Sequence, residues 1–292
     1  MTQPIGFRSS DKTLVCILNK VIYGFKQAPR KWFERLKGSL IKLGFQVSKC
    51  DNSLFFQTYE KHQLFVLVYV DDIIVTRSST HHVQQVINDL SSTFAFKQLG
   101  PLDYFLGIEV KHRKDGSLFL SQSKYIRDLL DRANLSSTKA INTPMASNCK
   151  LTKHGTDYFE DPTFYRSIVG ALQYATITRP NITYSVNKVC QFLDKPLNSH
   201  WTLVKRILRH LQGTKSKGLT IITTTHNSAL SLVAYCDADW AYDIRDRKST
   251  SGACLYLGPN LVTWWSKKQN TISRSSTEAE YRSLTLVSQE LI

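Results

Sequence analysis

Several features are scarce or missing in this chain. No run of about 18 or more uncharged apolar residues occurs, so no membrane-spanning helix is expected. The opening residues, MTQPIGFRSSDK, lack a charged leader followed by an apolar stretch, and no secretory signal is expected there. Six cysteines (Cys16, Cys50, Cys149, Cys190, Cys236 and Cys254) stand singly. None forms a CxxC pair or a Cys/His cluster at zinc spacing, which argues against a structural zinc. Isolated thiols fit a reducing compartment better than a disulfide framework, so an intracellular protein, cytoplasmic or nuclear, is expected. There is no internal repeat and no low-complexity tract. Acids are few: 23 Asp plus Glu face 38 Lys plus Arg, a formal charge of +15. That excess suits an anionic polymer, nucleic acid first and an acidic membrane surface second. A merely soluble basic surface has the same net charge, so placement has to decide.

What is present reads as a folded protein of mixed class. Hydrophobic residues make up 42% of 292, ample for a packed core and compatible with one to three domains. In KQAPRKWFERLKGSLIKLGF, Trp32, Phe33, Leu36, Leu40 and Leu43 recur at helical spacing. Pro29 suits the first helical position and Gly44 a left-handed stop. Residues 53–59 and 63–70 read as strands, as does 73–76, with Asp71 and Asp72 at the hairpin turn. A helix with Val83, Val86, Ile87 and Leu90 on one face follows. YFLGIEVKHRKDGSLFLSQ reads as a hairpin turning at Asp115–Gly116, and SKYIRDLLDRANL as an amphipathic helix. Periodicity lapses over 136–162, a polar, turn-rich connector. Three helical patterns come next, and the third, HWTLVKRILRHLQGTKSKG, carries Lys205, Arg206 and Arg209 opposite its apolar face. Residues 200–218 contain five Lys/Arg and no acid, a stripe that a phosphate backbone would favour and that a solvated face would also show. From Leu219 the period changes to strands: LTIITTT, LSLVAYCDADW, SGACLYLG and LVTWWS. The closing helix, SSTEAEYRSLTLVSQELI, begins with capping Ser and Thr and an early Glu.

The segment LFVLVYVDDIIVT poses a chemical question. Adjacent carboxylates in a regular strand point to opposite faces, whereas a turn lets both approach one point. Two close carboxylates beside apolar strands repel. A divalent cation resolves that conflict, and Mg²⁺ with its preference for oxygen ligands is the natural occupant. A polar turn capping two strands is the plainer alternative.

The same residues carry a resemblance. YVDDIIVT is similar to the YxDD motif of reverse transcriptases, and LNKVIYGFKQAPRKWF (18–33) to the LYGLKQAPRxW block of copia-type LTR retrotransposons. LGPLDYFLGIEV, LSQSKYIRDLL, NTPM, YRSIVGALQYATITRPNITYSVN, AYCDADWA, RKSTSGACLYLG and SSTEAEYRSL follow in the same order. Together they cover essentially the whole chain. The resemblance implies an α+β fold: a partial reverse-transcriptase palm and thumb over 1–135 with most of the fingers missing, a linker over 136–162, a helical connection over 163–218, and the N-terminal part of a ribonuclease H-like α/β domain over 219–292. It implies two-metal phosphoryl transfer with Mg²⁺ or Mn²⁺, on an RNA template, a DNA primer, an RNA–DNA hybrid and dNTPs, with no membrane partner and with other products of the polyprotein as possible associates. Asp71 becomes the primary palm ligand and Asp72 its partner. Asp237 and Glu280 match the first Asp and the Glu of the ribonuclease H carboxylate cluster, with Asp239 and Glu278 the near alternatives. Lys26, Gln27 and Arg30 fall beside template and incoming nucleotide, and Lys205, Arg206 and Arg209 are candidates for the nucleic-acid backbone.

By the same resemblance, the first catalytic aspartate of the polymerase belongs before the segment matched by MTQPIGF, and a third ribonuclease H aspartate belongs beyond SQEL. The expectation is therefore a fragment truncated at both ends, holding two carboxylates of each set, with little or no activity alone. The alternative is a non-catalytic nucleic-acid-binding relic of a retrotransposon.

Overall fold

The computed structural model describes residues 3, 5–11, 13–15, 17, 22, 24–59, 62–77, 80–146, 151–152, 155–223, 231–243 and 246–291. Residues 18–21 and 23 of the first matched block, connector residues 147–150, 153 and 154, and Thr224 and Thr225 of the strand expected over 219–225 lie outside the described residues. The chain forms two compact units, divided between Pro101 and Leu102. The hairpin and helix that follow Pro101, expected with the first block, therefore belong to the second unit.

In the first unit, helix α1 (Ala28–Lys42) carries Pro29 in its first turn and buries Leu36 and Leu40. It stops where expected, at Gly44, whose φ is +89°. Strands β1 (Gln46–Val47), β2 (Leu54–Tyr59), β3 (His62–Tyr69) and β4 (Asp72–Arg77) form an antiparallel sheet in sequence order. Helix α2 (Thr80–Thr93) closes the unit. Alternation decides the sheet's faces: Leu64, Val66 and Val68 of β3 join Phe55, Leu36, Leu40, Val86 and Leu90 in one core.

The second unit opens with β5 (Tyr104–Phe105), β6 (Ile108–His112) and β7 (Leu118–Ser121), followed by α3 (Ser123–Arg132). The β6–β7 turn forms at Asp115–Gly116 as expected, with Asp115 Oδ1 accepting from the Ser117 amide at 2.9 Å. Helices α4 (Pro162–Ala175), α5 (Thr183–Cys190) and α6 (Asn198–Gly213) pack with α3 around Ile126, Tyr165, Leu172, Val189 and Ile207. Asp161 caps α4 by accepting from the Phe164 amide at 2.8 Å. Strand β8 (Gly218–Ile221), expected to open the last sheet, instead pairs antiparallel with β7. The last sheet is β9 (Leu232–Asp239), β10 (Thr250–Leu257) and β11 (Asn260–Lys268), in the order β11-β10-β9. Helix α7 (Ser276–Glu290) buries Ala279, Ser283 and Val287, and Val287 shares a core with Ala234, Cys236, Ala253 and Leu255 of this sheet. The fold is thus mixed α and β with small antiparallel sheets. Among the described residues no helix is long and apolar enough to cross a membrane.

A buried polar chain ties α6 to the connector. Arg179 is 1% exposed and donates to Thr214 O at 2.9 Å, to Thr214 Oγ1 at 2.7 Å and to Asn181 Oδ1 at 3.2 Å. Asn181 Nδ2 lies 2.9 Å from His210 Nε2, and His210 Nδ1 lies 3.3 Å from Ile141 O. The guanidinium only donates, so Asn181 Oδ1 accepts and its amide nitrogen donates. His210 Nε2 must then accept, and the ring's one proton sits on Nδ1, facing Ile141 O. The network requires a neutral ring. Burial depresses the His210 pKa first, and the positive charges of Arg179 and Lys217 add to this, against hydrogen bonds to the backbone at Ile141 and Asn142. A histidine whose folded-state pKa lies below its unfolded value takes up protons preferentially on unfolding. Its contribution to stability is complete above an unfolded pKa of about 6.5 and is lost as the pH falls from there through the folded value. Between about pH 7 and 5, the melting temperature should fall more steeply in the wild type than in His210→Gln. Equal slopes in calorimetry would remove His210 from the account.

Candidate catalytic sites

The first candidate site is the β3–β4 hairpin. Its cross-strand pairs are Val66 with Val75, Val68 with Ile73 and Tyr69 with Asp72. Ile73 and Val75 pack on the core with Val66 and Val68. Asp72 therefore lies on the sheet's other face, with Tyr69 and Ile74. The two-residue turn is Val70–Asp71, so only one of the two aspartates expected in the turn is there: Asp72 is the first residue of β4. Val70 has φ 50°, a left-handed conformation that a β-branched residue adopts only under constraint. The apolar strands supply that constraint by anchoring both ends of the turn. Both carboxylates are exposed. Adjacent hard oxygen donors on a rigid tip suit Mg²⁺ or Mn²⁺, which commonly takes one or two carboxylates and completes its shell with water and ligand phosphate. Among the described residues, no group of three or more His, Cys, Asp or Glu side chains comes together.

Lys26, Gln27 and Arg30 gather at the start of α1. Gln27 occupies the N-cap position without a side-chain capping bond, and both it and Lys26 are exposed. Arg30, its side chain 82% exposed, pairs with Glu34 at 3.1 Å. An exposed pair of this kind contributes little to stability and yields readily to a phosphate. Two of the other basic candidates, Arg206 and Arg209, are engaged within the chain. Arg206 Nη2 donates to Thr143 Oγ1 at 2.8 Å, and Arg209 Nε to Lys139 O at 2.8 Å. With Gln212 Nε2 donating to Ser136 O at 2.7 Å, they fasten part of the connector along α6. Lys205 is half-buried on the same helix.

The second candidate site is a cleft of about 340 Å³ on the β9–β11 sheet, with Pro180, Thr183 and Tyr184 forming its helical side. Cys236 and Ala238 of β9 turn towards the interior, so Asp237 and Asp239 project from the opposite face and both line the cleft. Burial raises the Asp239 pKa, the neighbouring Asp237 charge raises it further, and Lys188 opposes both. Glu280 comes from α7, and its Oε1 accepts from the Ala238 amide, between the two aspartates, at 3.2 Å. Ser283 Oγ donates to Asp237 O at 3.0 Å, fixing the helix to the strand. Glu278 is occupied locally: it accepts from the Arg274 amide at 2.7 Å and from Arg282 Nη2 at 2.7 Å, and these bonds lower its pKa. Sequence reasoning passed over Lys188, which is 7% exposed beside this cleft. Its signal was a lone cation at i+4 from Tyr184 in an otherwise uncharged helical stretch.

Residues 1–147 match the family model described as reverse transcriptase (RNA-dependent DNA polymerase). A retrovirus-related Pol polyprotein from transposon RE2 of Arabidopsis thaliana is 46% identical over 292 residues, which is 100% of this chain and 20% of that protein. The corresponding polyprotein from transposon TNT 1-94 of Nicotiana tabacum is 37% identical over 302 residues, covering 100% of this chain and 22% of that one. An uncharacterised mitochondrial protein of Arabidopsis thaliana is 46% identical over 228 residues, 78% of this chain and 93% of its own length. The chain thus spans about a fifth of the length of the polyproteins it matches. No solved structure matches it.

Proposed function

Because the chain belongs to the reverse transcriptase family of copia-type retrotransposon Pol polyproteins, we propose that it is a portion of an RNA-directed DNA polymerase joined to a ribonuclease H-like region. The observation that carries the polymerase reading is the β3–β4 hairpin, with Val70 held at φ 50° and two exposed carboxylates at its tip. In this reading residues 1–135 contribute palm and thumb, 136–162 a linker, 163–218 the connection and 219–292 the ribonuclease H-like part. The palm sheet is β1–β4.

Asp71 and Asp72 would hold Mg²⁺ or Mn²⁺. When bound, the cation offsets the charge between a primer 3′-hydroxyl and the α-phosphate of a nucleotide and stabilises the leaving oxygens. The chain's own contribution is positional. The anchored strands keep Asp71 and Asp72 from swinging apart. Lys26 and Arg30 offer cations to the phosphates of template or dNTP, and Gln27 offers an amide to base or sugar. In the second cleft Asp237, with Glu280 on the adjoining peptide, is the candidate set for cutting the RNA strand of an RNA–DNA hybrid.

Among the described residues no group of three or more His, Cys, Asp or Glu side chains that could hold a metal ion is found. A metal clamp short of a ligand loses orders of magnitude in rate. On poly(rA)/oligo(dT) with Mg²⁺, the isolated chain should give little or no extension. Clear extension that disappears in Asp71→Asn would overturn that expectation while supporting the site. The net charge of +15 favours a second reading, nucleic-acid binding without chemistry. Salt-dependent hybrid binding that survives Asp71→Asn and Asp237→Asn would support it.

A further inference from the structure

The floor of the second cleft is ordered in rows across its sheet. Tyr235 of β9 lies opposite Cys254 of β10, and Cys254 lies opposite Trp264 of β11. The next row on the same face is Asp237, Gly252 and Ser266. All six residues line the cleft. In each row a small residue stands between two larger ones. Strand side chains rise roughly perpendicular to the sheet, and two strand spacings set Tyr235 and Trp264 roughly 10 Å apart. A planar ring needs about 3.5–4 Å to a neighbour on each side. The span over Cys254 therefore takes one ring.

Both walls of this span are held. Tyr235 is 64% exposed, and Tyr256 meets its ring at 6.0 Å in a T-shaped contact. Trp264 Nε1 donates to Thr176 O at 3.1 Å. Thr183 Oγ1, Thr250 Oγ1 and Ser266 Oγ are buried at the cleft and have no hydrogen-bond partner among the described residues. Thr250 is only 4% exposed and shares the face of Asp239, its partner across the ladder. A buried hydroxyl without a partner is costly, and the polar edge of a ligand removes that cost. Planar, aromatic and rimmed with donors and acceptors describes a nucleobase, and exposed aromatic side chains are what unpaired bases stack on. The chain's charge of +15 draws the same polymer. One row further on, about 7 Å along the strands, the floor is open at Gly252, where an added Cβ would meet only Trp265 O, at 3.9 Å. The sugar and phosphate attached to a base over Cys254 have room there, beside Asp237.

We infer that the Tyr235–Cys254–Trp264 row is a nucleobase slot for an unpaired nucleotide, the state of an RNA strand where its hybrid ends. A base stacked within a duplex has neighbours on both faces and does not enter it. The slot rests on the reading of this cleft as a nucleic-acid site.

The test uses the full chain and a short oligouridine RNA carrying one 4-thiouridine. Near-ultraviolet light should cross-link it to Tyr235 or Trp264, located by mass spectrometry of the digested chain. Titration of that cross-link reads the slot apart from other basic surfaces. Tyr235→Ala, a change on the exposed rim that spares the core, should weaken the slot about tenfold or more. Cys254→Leu, which fills the floor, should weaken it as much, and Tyr235→Phe should keep the parent affinity. The same RNA annealed to DNA should cross-link there at least tenfold less well. Equal cross-linking of the annealed RNA, or unchanged affinity in Tyr235→Ala, would overturn the slot. Cross-links at Gly252 or Ser266 with none at Tyr235 or Trp264 would overturn the slot and keep the cleft as a nucleic-acid site. No cross-link in the cleft from either probe would overturn both.

Discussion

Gly218→Ala is expected to lower the melting temperature of the second unit by about 10 °C, the equivalent of roughly 3 kcal/mol or more. A Cβ at this position would lie 2.1 Å from Leu120 O, with Leu120 C and Phe119 Cζ each at 3.0 Å. The first of these is backbone in the paired strand, so no side chain can rotate away to make room. Relief requires β7 and β8 to separate at the Ser121–Gly218 pair, which ends their four-residue ladder. That ladder joins residues about a hundred positions apart, and little else can replace it locally. Gly170 is the control. It lies within α4 with nothing within 4 Å of an added Cβ, and alanine there should stabilise by roughly 0.5–1 kcal/mol. A Gly218→Ala protein melting within about 2 °C of the wild type would show that the strand pair is not as close as described.

The second large effect concerns chemistry. Placing residues 1–292 in the corresponding stretch of the tobacco TNT 1-94 polyprotein, to which they are 37% identical, supplies the sequence context of a relative. In that chimaera, Asp71→Asn should reduce primer extension by about three orders of magnitude or more, because on the proposed reading it removes the charge of an oxygen ligand to the metal. The melting temperature should hardly move. Asp71 is exposed in a turn, and neutralising it relieves repulsion with Asp72. A loss of activity accompanied by a large loss of stability would point to a structural role for Asp71. Retained activity would reject the hairpin as the polymerase site.

Much of the fold is legible residue by residue. Trp32, Phe33, Leu36, Leu40 and Leu43 announce α1, and Gly44 announces its end at φ +89°. Alternation in LFVLVYV identifies β3 and the face that carries Val66 and Val68. The position of the turn within VDDI is not legible. Strand period cannot say which two residues leave the ladder, and the Tyr69–Asp72 pair decides it. Asp237 is legible through its motif, and Asp239 through its spacing of two along a strand. The burial of Lys188 is not, because it comes from packing against residues some fifty positions away, Tyr242 among them.

The basic stripe of α6 marks the same boundary. Its one-sidedness is plain in residues 200–218. In the structure Arg206 and Arg209 spend hydrogen bonds on Thr143 and Lys139, and His210 faces Ile141. Carbonyl and hydroxyl groups of a passing segment satisfy a cationic face as well as phosphates do, and composition cannot distinguish them.

The sequence by itself determined the family, the identity and order of most helices and strands, and the carboxylates at issue, since these depend on patterns closed within a few residues. Only the tertiary structure decided that β8 pairs with β7, that α6 is strapped by the connector, and that Lys188 lies over the Tyr242 ring. Each of these is a choice of partner across tens of residues, set by which surfaces fit once the local elements exist.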